Sequence, residues 1–193
     1  MNEILSPKQI EKEAAAAYKA GDYATAAQSF EAARQAYLSA NETVKAAEMA
    51  NNCSVAFLQN GDKEAALNAV EGTDATFMEA GDQKRLAMAY GNRAAALEAL
   101  NRLEEAEQVY WKSAQILKEI GEEDLRLSVM QSISALQLRT GRQMQAVATM
   151  HSGVENIEKP SLKQRFLKRI LGVPMQMMTS QTEKLSDGDH KNP

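Results

Sequence analysis

The residues best equipped for chemistry are few and scattered along the chain. Cys53 is the sole cysteine, and His151 and His190 are the sole histidines. A nucleophilic thiol needs a base within hydrogen-bond reach. Cys53 is set among small residues and reads as a packed core thiol instead. Metal ligands come in clusters at fixed spacing, and no such cluster occurs. Neither common glycine-rich phosphate loop is present. Acidic runs at Glu104-Glu105-Glu107 and Glu119-Glu122-Glu123-Asp124 could meet a basic partner. Favourable charge at helix starts and a solvated face explain them more simply. The remaining chemical capacity lies in two carboxamides, Asn52 and Asn92, which stand 40 residues apart. Each can donate and accept, as a peptide backbone does, or can instead bond a neighbouring helix. These residues point to binding without catalysis, and no metal or cofactor is expected.

The elements that must position them are helices. Aromatic residues make up only 5% of the chain, and alanine is abundant, with runs such as Ala14-Ala15-Ala16-Ala17 and Ala94-Ala95-Ala96. Alanine is the best helix former, and the β-branched and aromatic enrichment of strands is missing. An all-α fold follows. A hydrophobic share of 44% over 193 residues is enough for a sizeable core. Chain breaks then recur in register. Gly21, Gly61, Asn101 and Gly141 are each 40 residues apart, and Asn41, Gly81 and Gly121 fall midway between them. Glycine, and next asparagine, adopt the left-handed conformation that ends helices. Behind each main turn come Ala26, Ala66, Ala106 and Ala146, then Phe30, Val70, Tyr110 and Met150, then Ala33, Thr73, Ser113 and Gly153. This register predicts helices over 7–20, 23–40, 42–60, 63–80, 83–100, 102–120, 122–140 and 142–158. Ser6, Asp22, Asn41 and Asp82 can cap the helices that follow, with Pro7 at a first helical position. Phe30, Ala33 and Tyr37 form one apolar stripe, and Val109, Ile116 and Ile120 contribute to another. Helices joined by two-residue turns pack antiparallel, and the pairs must then stack.

The clearest unit runs Tyr90-Gly91-Asn92-Arg93-Ala94-Ala95-Ala96-Leu97 through Asn101 and Ala106 to Tyr110 and Ser113. It resembles the tetratricopeptide repeat, in a long form of about 40 residues per unit. Ala17 and Phe57 before the turn, with Phe30 and Val70 after it, extend the match to the first two units, whereas Gln137 replaces a large apolar residue in the fourth. The resemblance covers residues 7–158 as four units, about 7–40, 42–80, 82–120 and 122–158. It implies an α-solenoid, a right-handed superhelix of four antiparallel helix pairs whose first helices line a concave groove. Carried over, the lining is Lys8, Glu11 and Lys12, then Glu48, Asn51, Asn52, Val55 and Gln59, then Met88, Asn92, Ala95 and Glu98, then Ser128, Gln131, Ala135 and Arg139. The subfamily that clamps C-terminal carboxylates uses several cations in this groove. Here Glu11, Glu48, Met88 and Ser128 occupy such places, and the mixed Asn, Gln, Met and Val lining makes a neutral or partly apolar peptide, or a partner helix, the expected occupant. Trp111 follows the core position Tyr110 and points nearer the outside, either filling a contact with the next pair or anchoring a protein partner.

Past Lys159-Pro160 the register is lost. A short helix over 161–172 is expected, with Leu162, Phe166, Leu167, Ile170 and Leu171 on one face and Arg165, Lys168 and Arg169 on the other. The stretch 159–173 contains Lys159, Lys163, Arg165, Lys168 and Arg169 without an acid, about +5, whereas 1–158 carries about −8. The favoured role is a cap on the apolar end of the fourth unit. Docking in the groove of a second copy would make a homo-oligomer. An anionic membrane surface is disfavoured by the helix's brevity and by Lys163 beside its apolar face. The acidic body also argues against nucleic acid. A disordered tail is expected over 174–193. The first residues carry neither a basic start nor an apolar run, no long apolar span occurs, and the lone cysteine fits a reducing compartment, so a cytoplasmic location is expected.

Overall fold

The computed structural model describes residues 5–155 together with 162, 164–166 and 169. Among the described residues all regular structure is helical. The order is α1 (Pro7–Lys19), α2 (Tyr23–Ser39), α3 (Thr43–Asn60), α4 (Lys63–Val70), α5 (Thr73–Glu79), α6 (Gln83–Ala99), α7 (Leu103–Glu119), α8 (Glu123–Arg139) and α9 (Gln143–Glu155). None of these helices is long and apolar enough to cross a membrane. The chain divides into two compact units, Met1–Gly121 with α1–α7 and Glu122–Pro193 with α8 and α9.

In the first unit, α1 packs on α2, α2 on α3, α3 on α4, α5 and α6, and α6 on α7. In the second, α8 packs on α9. The turns between successive helices are the predicted ones. Gly21, Asn41, Gly61, Gly81, Asn101, Gly121 and Gly141 all have positive φ, from 58° at Asn41 to 90° at Gly61. Beyond several of these turns the chain bonds back into the helix it has left, as Asp22 N–H does to Ala17 C=O at 3.0 Å and Asp82 N–H to Phe77 C=O at 2.9 Å. These bonds satisfy carbonyls that the helix end would otherwise orphan. Asp22 and Asp82 then cap the next helix, accepting from Thr25 N–H at 3.1 Å and Arg85 N–H at 2.9 Å. Ser6 forms a reciprocal capping box with Gln9 ahead of Pro7. Asn41 does not cap: it is consumed by the left-handed turn, and Glu42 holds the cap position without a side-chain bond.

The 40-residue register is visible as burial. Ala26, Ala66 and Ala106 are fully buried and Ala146 nearly so; Ala33, Thr73, Ser113 and Gly153 are buried seven positions on. Small side chains here let helix backbones approach. The contacts are polar as well as tight. Ser113 Oγ donates to Ala87 C=O at 2.8 Å, and Cys53 Sγ donates to Ala27 C=O at 3.3 Å. Phe30, Ala33 and Tyr37 are buried as expected, in a cluster with Ala14, Met49 and Cys53. A second cluster joins Ala47, Phe77, Leu86 and Ala89. Phe77 is fully buried, which contributes about 2–3 kcal/mol.

The structure corrects two further expectations. The helix predicted over 63–80 is two helices, because Glu71 is extended (ψ 131°) and Gly72 left-handed (φ +78°). Glycine removes the Cβ penalty of that conformation. Thr73 stabilises the break, its hydroxyl reaching the freed Val70 carbonyl at 2.8 Å and Asn51 Oδ1 at 3.2 Å. The stripe expected on α7 ends sooner than its spacing suggests: Val109 and Ile116 are half-buried, with Ile116 against the Phe77 cluster, but Ile120 falls at the C-cap. Ala106, Tyr110, Ser113, Ala114 and Leu117 are buried, while Ile120 is 38% exposed. α7 therefore turns inward the same register positions as α2.

In the second unit, Gln137 is buried and accepts from Thr149 Oγ1 at 2.8 Å, so an amide–hydroxyl pair fills the place of the usual apolar residue. Arg126, in the register position of Leu86, is buried as well and donates to Ser152 C=O at 3.2 Å. The described part of 159–173 is helical at 162, 164–166 and 169. Gln164 donates to Asp124 Oδ1 at 3.2 Å, while Leu162 and Phe166, two of the residues expected to cap the fourth unit, are 82% and 67% exposed. The rest of that apolar face and the tail over 174–193 lie outside the described residues.

Candidate functional site

Successive residues of a helix face recur every three or four positions. On α3 this places Glu48, Asn52 and Val55 in one row, and on α6 Met88 and Asn92 in another. α3 packs against α6, and these five residues line a single pocket of about 340 Å³ together with Asn51, Phe77, Asp82, Lys84 and Arg85. The 40-residue register thus brings Asn52 and Asn92 to one site. Two further hollows adjoin it. Asn52 and Val55 also line an apolar hollow of about 220 Å³ with Ala15, Tyr18, Lys19 and Phe30. Glu48 and Arg85 also line one of about 510 Å³ with Glu11, Lys45 and Met49 among others. The three hollows share lining residues on α3, the one at Tyr18 and Phe30 being the more apolar and the one at Glu11 the more charged.

The two candidate carboxamides are half-buried, and among the described residues neither makes a side-chain hydrogen bond. Asn51 behaves otherwise. It is 6% exposed and its side chain is engaged with Thr73, so it braces α5 from beneath the groove floor. Asn51 thus bonds a neighbouring helix, whereas among the described residues Asn52 and Asn92 show no such bond.

The charges of the pocket are paired. Arg85 bridges α3 and α6, with Glu48 at 3.1 Å and Asp82 at 2.5 Å. The Arg85 backbone amide, ahead of its guanidinium, holds the Asp82 carboxyl below the usual range. Two acids and two bases line the pocket, so its fixed charge sums to zero. At the more charged hollow, Tyr37 donates to Glu11 Oε2 at 2.5 Å; burial first, and this carboxylate second, push the phenol up to about 12. Lys45 pairs with Glu42 at 2.6 Å and lies over the Tyr37 ring, 5.1 Å from its centroid. Such an arrangement supplies free amide donors and acceptors, apolar surface and no net charge. It holds no nucleophile–base pair.

No family model matches the chain, and no curated protein matches it either.

The other predicted residues fall elsewhere. Gln59 is exposed at the far end of α3 and lines none of the three hollows. Glu98 accepts from Tyr110 Oη at 3.1 Å, which ties α6 to α7. Gln131 and Arg139 belong to the second unit and are exposed on α8. Trp111 is 41% exposed on α7, beside the buried Tyr110. Cys53 is fully buried, which pushes its thiol up to about 12, far from the range of a reactive cysteine. His151 faces Glu155 at 4.0 Å, and His190 lies outside the described residues. Among the described residues no group of three side chains could hold a metal. Arg165 and Arg169 are exposed, whereas Lys163 and Lys168 lie outside the described residues.

Arg85 and Tyr18 are among the lining residues that sequence reading missed. Arg85 did carry a signal, since Glu42-Lys45 and Asp82-Arg85 repeat the same acid–base spacing 40 residues apart. Tyr18 had none: it packs edge-on against Tyr23 across the first turn, with centroids 5.3 Å apart.

Proposed function

We propose that this chain is a non-catalytic interaction module of the tetratricopeptide type, and that its α3–α6 groove holds an extended peptide segment of a partner protein. The observation that carries this reading is the pair Asn52 and Asn92, set on adjacent repeats in one pocket with their hydrogen-bonding capacity unspent. Carboxamides left open in a groove match the alternating N–H and C=O groups of an extended backbone. The apolar hollow at Tyr18, Phe30 and Val55 suits one bulky side chain of that segment. The balanced charge of Glu48, Asp82, Lys84 and Arg85 favours a partner segment of low net charge over a carboxylate terminus. In this reading the helix pairs are antiparallel and stack as a right-handed solenoid, and the protein works in the reducing cytoplasm.

A displayed library of random peptides, panned on the full chain, tests the reading. Enrichment of a shared motif with one bulky apolar residue and little net charge is expected. Enrichment of acidic C-termini, or of no motif, counts against it.

A further inference from the structure

The hollow of about 220 Å³ between α1, α2 and α3 combines an apolar wall with unspent polar groups. Phe30, Val55 and Ala15 form the wall, Phe30 buried and the other two half-buried. Tyr18, Lys19 and Asn52 supply the rest of the lining, and each carries a polar group. Among the described residues the Tyr18 hydroxyl, the Lys19 ammonium and the Asn52 carboxamide have no hydrogen-bond or ion-pair partner. No acid lines the hollow, so its one charge is positive. The Tyr18 ring is steadied by Tyr23, which meets it edge-on with centroids 5.3 Å apart.

We propose that this hollow takes a tyrosine side chain of the bound segment, an inference that rests on the groove reading above. A cavity of about 150 Å³ already accepts a benzene ring, so this one has room for a ring and its hydroxyl. The ring covers Phe30, Ala15 and Val55, and aromatic pairing with Tyr18 and Phe30 adds to the burial. The phenol oxygen accepts from Lys19 and shares a hydrogen bond with the Tyr18 hydroxyl. Asn52, which also lines the pocket of Asn92, is left for the backbone beside the tyrosine. Phenylalanine would cover the same wall but displace water from the lysine and the hydroxyl without replacing it, which is unfavourable. Aspartate or glutamate would meet Lys19 but has no ring to cover the wall. Tyrosine satisfies both and adds no net charge to the segment.

The test uses a library-selected peptide that contains tyrosine and a twin with phenylalanine in its place, titrated against the full chain by calorimetry. The tyrosine peptide should bind about tenfold more tightly, as a site with polar groups to satisfy discriminates against an analogue lacking the hydroxyl. Lys19→Met keeps an apolar stem and removes the charge. It should weaken the tyrosine peptide and leave the phenylalanine twin unchanged, and Tyr18→Phe should narrow the gap in the same way. Neither variant removes a hydrogen bond that the free protein makes, so melting temperatures should stay close to the parent's. Equal affinity of the parent for both peptides overturns the proposal, as does a gap that both variants leave intact. A selected motif whose shared bulky residue is leucine or phenylalanine also overturns it, while leaving the groove itself standing. A library that yields no motif removes the groove reading and this proposal with it.

Discussion

Thr73 Oγ1 stands 3.2 Å from Asn51 Oδ1, and this contact gives two asparagines adjacent in sequence different work. Asn51 is spent on holding the α4–α5 break, whereas Asn52 faces the groove with its amide unused. Asn51→Ala should therefore cost about 1–2 kcal/mol, the usual penalty for disrupting a buried hydrogen bond. Asn52→Ala should leave stability within about 0.5 kcal/mol of the parent, as surface substitutions do. Urea titrations of the two single variants check this; equal losses would remove the distinction.

Two glycines inside helices should respond oppositely to alanine. At Gly91 an added Cβ would meet nothing closer than Ser113 Oγ at 3.7 Å, an ordinary contact. Gly91→Ala should stabilise the protein by about 0.5–1 kcal/mol through helix propensity. At Gly153 the Cβ would lie 3.1 Å from Met130 Cβ and 3.3 Å from Leu127 Cδ1. Met130 is fully buried and its Cβ is fixed to the α8 backbone, so overpacking of about 1–3 kcal/mol outweighs the propensity gain. Chemical denaturation of both variants reads the two signs directly.

Cys53 should be inert while the protein is folded. Its thiol is fully buried and donates to Ala27 C=O, so an aromatic disulfide reagent should label it only after denaturant is added. The raised thiol also predicts a pH dependence. The unfolded chain ionises Cys53 near pH 8.5 and the folded chain near 12, so its stabilising contribution is complete below about pH 8 and declines above it, by up to about 1.4 kcal/mol per pH unit. Tyr37 adds a similar loss above about pH 10. Urea midpoints at pH 8, 9 and 10 should fall for the parent, and Cys53→Ala should flatten the first part of that fall.

Acid should act through Asp82. Its carboxyl titrates lower in the folded protein than in the unfolded chain because it accepts from the Arg85 backbone amide. The resulting stability is present above the unfolded value, near pH 4, and is lost as pH falls through the lower folded value. At pH 7, Asp82→Ala should cost about 1 kcal/mol as a lost helix cap. Asp82→Asn can still cap and should retain most of that stability while losing part of the acid dependence.

Much of the fold is legible because turns and close contacts restrict residue type. The left-handed turns need Gly or Asn, and the tightest helix contacts need Ala, Ser, Thr or Gly, so both leave a 40-residue imprint in the sequence. The α4–α5 break is legible only in hindsight: Gly72-Thr73 looks like a tolerated helical glycine until Asn51 supplies a partner from another helix. Side-chain roles in the groove are less legible, since periodicity places Asn51 and Asn52 on α3 but cannot say which one a neighbour consumes. The same holds for Gln137, whose burial depends on Thr149 arriving from α9. The spacing of Leu162 and Phe166 reads as part of an apolar stripe, but their exposure is not written in that spacing.

The proposed groove stands or falls with Asn52 and Asn92 holding a peptide backbone. The direct measurement is the affinity of a library-selected peptide for the full chain and for the double variant Asn52→Ala, Asn92→Ala, by titration calorimetry with melting curves alongside. The double variant should lose affinity by about tenfold to a hundredfold, as expected for losing hydrogen bonds of about 1 kcal/mol each, with an unchanged melting temperature. Equal affinity for both proteins would contradict it.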